Sequence, residues 1–299
     1  MGKQIIECVP NVSEGRRPEV IEEIVSVVKA TSGVTLLDCS SDADHNRSVI
    51  TFIGDSEGVK EAAYRLIEKT VALINMEKHQ GGHPRIGACD VMPFVPIRGV
   101  TIAECVALAK ELGAKVASGL NLPVYLYGEA ATISERRNLA NIRQGQYEGL
   151  KEAIQEPGRA PDFGPARLHP TAGAIVIGAR MALIAFNVNL GTPDINIAKK
   201  IARVIREGGG GLKNVMAIGV MLEEKNITQV SMNMVNYVQT PLYRSYEMVK
   251  MEAQRYGVPV VGSEIVGITP VDALIDVAEY YLQLEGFSGE QILENRLYE

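Results

Sequence analysis

The chain has 299 residues, 46% of them hydrophobic and 5% aromatic, with 30 Lys and Arg against 36 Asp and Glu for a net charge of −6. Such a length suits two compact lobes of ordinary domain size, and the mild acidity without a basic run excludes the electrostatic footprint of a nucleic-acid binder. An anionic small molecule is not excluded, because a few Arg, Lys and backbone N–H groups gathered in one pocket suffice to hold it.

In chain order, the pattern predicts a strand over 4–10, a helix over 17–31 whose apolar residues return every three or four positions, and strands over 33–40 and 48–54. A helix over 56–74, with Ser56 as its N-cap, and a strand over 89–97 follow. The order is βαββαβ. It recurs as a strand over 181–189, a helix over 194–207, strands over 215–222 and 227–235, a helix over 243–257 and a strand over 258–268, closed by a helix over 270–284. NVSEG (Asn11 to Gly15) and NVNLG (Asn187 to Gly191) end the first strand of each copy, and Asn46 and Asn226 precede the third. The expected fold is therefore α+β, two duplicated ferredoxin-like subdomains facing each other across a cleft, the first over 1–179 and the second over 180–299.

Between the copies come a helix over 101–119, a strand over 123–130 and a charged stretch over 134–154. Residues 156–173, EPGRAPDFGPARLHPTAG, are too rich in proline and glycine for regular structure and read as a functional inter-lobe segment. Cys8, Cys39, Cys89 and Cys105 form no C-x-x-C pair and sit in apolar segments, which points to a reducing cytosol. The first ten residues have too little apolar length for a signal peptide. The apolar stretch over 173–186 is too short to span a bilayer and carries Arg180, so a soluble cytoplasmic protein with no membrane partner is expected.

All four histidines, His45, His79, His83 and His169, fall at segment ends or in glycine- and proline-containing loops. His83 is the best presented: Gly81 and Gly82 allow backbone conformations closed to other residues, and Pro84 fixes the chain on its other side. His79 and His83 have the i, i+4 spacing of zinc ligands, but that geometry needs a helix which these glycines and Pro84 oppose, so no metal is expected. The glycines of REGGGGLKN (Arg206 to Asn214) end a helix rather than start one, which makes them a helix stop and not a phosphate loop. DADHNRSV gathers Asp42, Asp44, His45, Asn46 and Arg47 before a strand; turn chemistry explains the acids and the amide, and Arg47 less so. With no nucleophile elbow, dinucleotide fingerprint or calcium loop present, the residues by themselves point to a general acid/base site in a cleft, substrate unnamed.

ECVPNVSEG, HNRSVITFIG, KHQGGHPRIGACDVMPFVPIRGV, LPVYLYGEAA, PDFGP, LIAFNVNL, LEEKNITQVSMN and VPVVGSEIVG, in this order over essentially the whole chain, resemble the formiminotransferase domain of the glutamate formimidoyltransferase family. The resemblance implies transfer of the formimino group from N-formimino-L-glutamate to N5 of tetrahydrofolate, the co-substrate, in histidine breakdown, without a metal. It places the family's catalytic histidine at His83, where an imidazole of ordinary pKa suits both proton uptake and proton return. It puts folate binding on Gly164, Pro165, Ala166, Arg167, Leu168, His169, Pro170, Thr171, Ala172 and Gly173, a segment more serine- and aromatic-rich in the animal members. Substrate contacts are expected from Asp38, Asp42, Asn46, Arg47 and Arg85; where the animal members carry an acid two residues past Asp38, this chain has Ser40, and Asp42 is the candidate substitute. A homodimer is implied, and a separate cyclodeaminase to act on the product. Formiminoglycine as donor, and folate binding without transfer, are the alternatives that an assay separates.

Overall fold

The structure is a computed structural model that describes residues 4–296. The chain divides after Arg180 into two compact units.

In the first unit, β1 (Ile5–Cys8) and β2 (Asn11–Val12) act as one strand interrupted at Pro10, followed by α1 (Pro18–Lys29), β3 (Val34–Asp42), β4 (Arg47–Gly54), α2 (Ser56–Leu73) and β5 (Cys89–Arg98). The β1/β2 strand lies between β4 and β5, and β3 pairs with the far side of β4, all antiparallel. This is the expected βαββαβ sheet. Then α3 (Ile102–Leu120), β6 (Val124–Gly128), α4 (Leu139–Ile142), α5 (Gln146–Ala153) and β7 (Ile175–Ala179) extend it to seven strands, with β7 parallel to both β5 and β6. The alternation of a strand, period two, gives the sheet two buried faces. Ile6, Ile50, Phe52, Met92, Phe94 and Ile177 pack against α1 to α3, and Val91, Tyr125, Tyr127 and Val176 pack against Ile142 of α4, Leu150 of α5 and Ile154, which caps α5.

The second unit repeats the minimal order as β8 (Ile184–Leu190), α6 (Ile195–Ile205), β9 (Val215–Leu222), β10 (Ile227–Met234), α7 (Leu242–Arg255) and β11 (Val260–Val266), in the sheet order β11-β8-β10-β9; α8 (Val271–Leu282) and α9 (Leu293–Arg296) follow. Its core is its own, built from Phe186, Val188, Ile201, Val230, Met232 and Val249 among others. The duplication reaches the backbone: Asn46 and Asn226, each just before the third strand of its copy, adopt the left-handed conformation at φ 48° and 50°, which asparagine tolerates better than most residues. No helix among the described residues is long and apolar enough to cross a membrane.

Three local expectations are corrected. The N-cap of α2 is Asp55, whose carboxylate accepts the Gly58 N–H at 2.8 Å, with Ser56 already in the helix. The strand β7 was hidden in the apolar stretch over 173–186, because a strand buried on both faces reads as a continuous hydrophobic run without alternation. It also moves segment 156–173 out of the inter-lobe position, since the chain returns from that segment into the first sheet between β5 and β6.

Candidate active site

The loop between α2 and β5 carries His79, His83 and Arg85, and it docks onto the β3–β4 turn. The Asn46 side chain clamps both, donating to the Gln80 carbonyl at 2.9 Å and accepting the Gly15 N–H at 2.9 Å, while the Gly82 N–H donates to the Asp44 carbonyl at 3.2 Å. His79 is committed at both ring nitrogens: Nδ1 accepts from Arg85 Nε at 3.2 Å, which leaves Nε2 to donate to the Asn46 carbonyl at 2.9 Å. It has no lone pair to offer a metal. The reason for Gly81 also differs from the conformational one expected, since neither Gly81 nor Gly82 has a positive φ. A Cβ on Gly81 would lie 2.3 Å from the His45 carbonyl oxygen, whereas one on Gly82 would meet nothing closer than 3.7 Å. Gly81 is there for close approach.

His83 is half-buried on the sheet face opposite α1 to α3. Arg47 Nη1 lies 3.3 Å and 3.4 Å from its two ring nitrogens and 3.3 Å from Asn11 Oδ1. The His45 ring centroid is 6.5 Å away, and His45 is itself held by Asp42, which pairs with its Nδ1 at 2.8 Å. Burial first, then the charges of Arg47, Arg143, His45 and Arg85, push the His83 imidazole down to about 3. It is therefore neutral at pH 7, and well below the ordinary imidazole value expected from sequence.

Nearby on β5, buried Asp90 accepts the Ile86 N–H at 2.7 Å and forms an ion pair with Arg143, at the C-terminal cap of α4. Burial pushes the Asp90 carboxyl up, with Arg143 and the Ile86 N–H pulling against it. The Nε atoms of Arg47 and Arg143 are both buried without a partner.

Of the substrate residues expected from sequence, Arg47 adjoins His83 and Asp42 reaches it through His45. Asn46 is a structural clamp. Arg85 is buried and spent on the fold, with Glu148 on both terminal nitrogens at 2.6 and 2.8 Å and Gln146 at 3.1 Å. Asp38 is exposed on β3 and its side chain makes no hydrogen bond or ion pair among the described residues, and Ser40 is exposed too. The segment from Gly164 to Gly173 is tied to the His83 loop: Met76 N–H donates to Thr171 O at 2.7 Å and Ala88 N–H to Ala172 O at 2.9 Å. His169 Nδ1 accepts the Thr171 and Ala172 N–H groups at 3.3 and 3.1 Å, and burial pushes its pKa down. Arg167, Leu168, His169 and Pro170 line one side of a concavity of about 230 Å³, with Glu77, Tyr147 and Lys151 on the other. A second concavity, about 240 Å³ and lined by Tyr125, Arg136, Asn141 and Arg159, holds side chains already paired with one another and with backbone carbonyls. His83 lines neither.

Compared with known proteins, residues 5–180 match the formiminotransferase domain, N-terminal subdomain, and residues 185–295 match the formiminotransferase domain. The chain belongs to the formiminotransferase family. It is 54% identical to a glutamate formimidoyltransferase of Streptococcus pyogenes serotype M1 over 98% of this chain and 99% of that one, and 50% identical to one of Thermoplasma acidophilum over 98% and 97%. It is also 47% identical to the formimidoyltransferase-cyclodeaminase of Rattus norvegicus, over 94% of this chain and 53% of the rat chain. The protein is thus a transferase of the formimino group.

Asn11, Asp90 and Arg143 are the residues around Arg47 and His83 that the sequence did not single out as site candidates. Asp90 had a signal, an acid inside the otherwise apolar strand CDVMPFVPI, where a buried charge demands a partner. Arg143 had none, because its partner lies 53 residues away.

Proposed function

We propose that this formiminotransferase takes the formimino group from N-formimino-L-glutamate and delivers it to N5 of tetrahydrofolate in the cytoplasm, releasing L-glutamate and 5-formiminotetrahydrofolate, with His83 as the proton carrier. N5 attacks the amidine carbon and becomes positively charged. His83 takes the N5 proton as the new N5–C bond forms, then returns it to the glutamate nitrogen as the old C–N bond breaks, so one imidazole serves both steps and no proton is left over. What carries the reading is the place of the His83 imidazole, half-buried beside the Arg47 guanidinium, a group suited to an anionic donor; the cations that lower its proton affinity in the free protein are ones an anionic donor would offset. Glycine-rich segment 164–173, with Arg167 and His169 at its concavity, is the folate site in this scheme. It hangs on the same loop as His83, which suits two substrates that must meet.

The test is a spectrophotometric assay with tetrahydrofolate and formiminoglutamate or formiminoglycine in parallel, on the wild type and on His83→Ala. Turnover with formiminoglutamate is expected, and the variant should lose about 10²- to 10⁴-fold in rate while still binding folate. Near-normal turnover by the variant would take the proton role away from His83, and exclusive use of formiminoglycine would change the donor.

A further inference from the structure

We propose that Arg47 and Arg143 together receive a carboxylate of the formimino donor, which makes Arg143 a binding residue of the site. The inference rests on the function proposed above and adds to it the group that holds the donor. Arg47 has no carboxylate partner among the described residues. Its Nη1 is held only by Asn11 and by His83, and its Nε is buried and unpaired. Arg143 has one carboxylate, Asp90, on one terminal nitrogen, and its Nε is likewise buried and unpaired.

The two guanidiniums are near enough for Arg143 to disfavour the charge on Arg47, and the acids acting on Arg47, Asp42 and Asp90, form no ion pair with it. Of these two partly buried cations only Arg143 has a paired anion, and each keeps a buried Nε–H without an acceptor. A buried donor without an acceptor is a cost that folded proteins rarely carry. A planar carboxylate, with two oxygens for two N–H forks, is the group that removes both deficits.

Filling the receptor has a consequence for His83. The charged groups facing it are Arg47 from β4, Arg143 from the end of α4, His45 from the β3–β4 turn and Arg85 from its own loop, all cationic or able to become so. A bound carboxylate offsets the two nearest guanidiniums, and a proton then becomes easier to place on the imidazole. The donor would switch on its own base.

The formimino donor and the folate tail both carry glutamate carboxylates, so the probes must separate them. Histidine-labelled, full-length protein is titrated by NMR in the absence of ligand, with saturating L-glutamate, and with saturating p-aminobenzoyl-L-glutamate. L-Glutamate is expected to raise the His83 midpoint by one pH unit or more, about tenfold in proton affinity, and p-aminobenzoyl-L-glutamate to leave it in place. Removing Arg143 alone strands Asp90 as a buried unpaired charge and endangers folding. The variant is therefore Arg143→Met with Asp90→Asn, which keeps an acceptor for the Ile86 N–H. In it the midpoint shift should vanish and the KM for formiminoglutamate should rise about ten- to hundredfold, the usual range for losing charged hydrogen bonds, with the KM for tetrahydrofolate unchanged. An unaltered glutamate response in the double variant, or a response to p-aminobenzoyl-L-glutamate in place of L-glutamate, overturns the proposal. The midpoint readout needs no turnover, so a wild type that binds L-glutamate in this way but transfers nothing would sink the proposed function and leave the receptor standing.

Discussion

His83 shows how a surrounding fold changes what a side chain is. Free imidazole titrates near 6.5, whereas here burial and the neighbouring cations hold it down to about 3. The sign of the stability effect follows. Above about pH 6.5 neither the folded nor the unfolded chain protonates this residue; below it the unfolded chain takes a proton that the folded chain refuses, so stability falls as pH drops from about 6.5 towards 3. His79 and His169, both lowered chiefly by burial, contribute in the same direction. His83→Gln should therefore flatten the decline of the melting temperature between pH 6.5 and 4.5 while leaving it unchanged at pH 8. Calorimetric curves for variant and wild type that run parallel across this range would contradict the assigned environment.

At the scale of elements, two loops are fixed by different means. The His83 loop leans on the β3–β4 turn through Gly81, where a Cβ would sit 2.3 Å from a carbonyl oxygen. Gly81→Ala must push the loop away, at a cost of about 1 to 3 kcal/mol for forced overpacking, and activity should fall with stability; Gly82→Ala, with no atom inside 3.7 Å, should be tolerated. Equal melting temperatures for the two variants would remove the close-approach argument. Segment 164–173 instead hangs on backbone hydrogen bonds to Met76 and Ala88, so its exposed Arg167 is not needed to hold it in place. Arg167 is exposed at the concavity and makes no ion pair among the described residues. If it holds a carboxylate of the folate tail, Arg167→Ala should raise the KM for tetrahydrofolate, more so for polyglutamylated forms, and leave that for formiminoglutamate nearly unchanged. The comparison belongs at low ionic strength, where screening is weakest, and an unchanged folate KM there would exclude the role.

For the molecule as a whole, each unit closes its own core. Met232, 1% exposed, packs only within the second unit's cluster, so Met232→Ala should cost about 2 to 5 kcal/mol of local packing. Hydrogen exchange followed by mass spectrometry should then show β8 to β11 losing protection while β4 and β5 keep theirs. Simultaneous loss across both sheets would mean that the two cores melt as one. The same separation explains how one βαββαβ plan could diverge: the first copy gained β6, β7, α4 and α5, and with α4 came Arg143.

Much of this was written in local pattern. Period-two and period-3.6 spacing gave the elements of both copies nearly to the residue, because the buried face of each element is a property of neighbouring side chains. The turn residues Asn46 and Asn226 before the third strands and the irregularity of segment 156–173 were local too, since turn chemistry acts over a few residues; the packing of Gly81 against His45, which presents His83, was not. Tertiary structure alone decided the rest. β7 could not be read, because burial on both faces erases the alternation. Arg85, which looked available to substrate, is consumed by Glu148, 63 residues away, and Asp90 finds Arg143 across 53. The protonation of His83 depends on charges brought from β4, the β3–β4 turn and the end of α4 into a half-buried place. Electrostatic energy is set by distance through space and by exclusion of water, and neither is a function of separation along the chain.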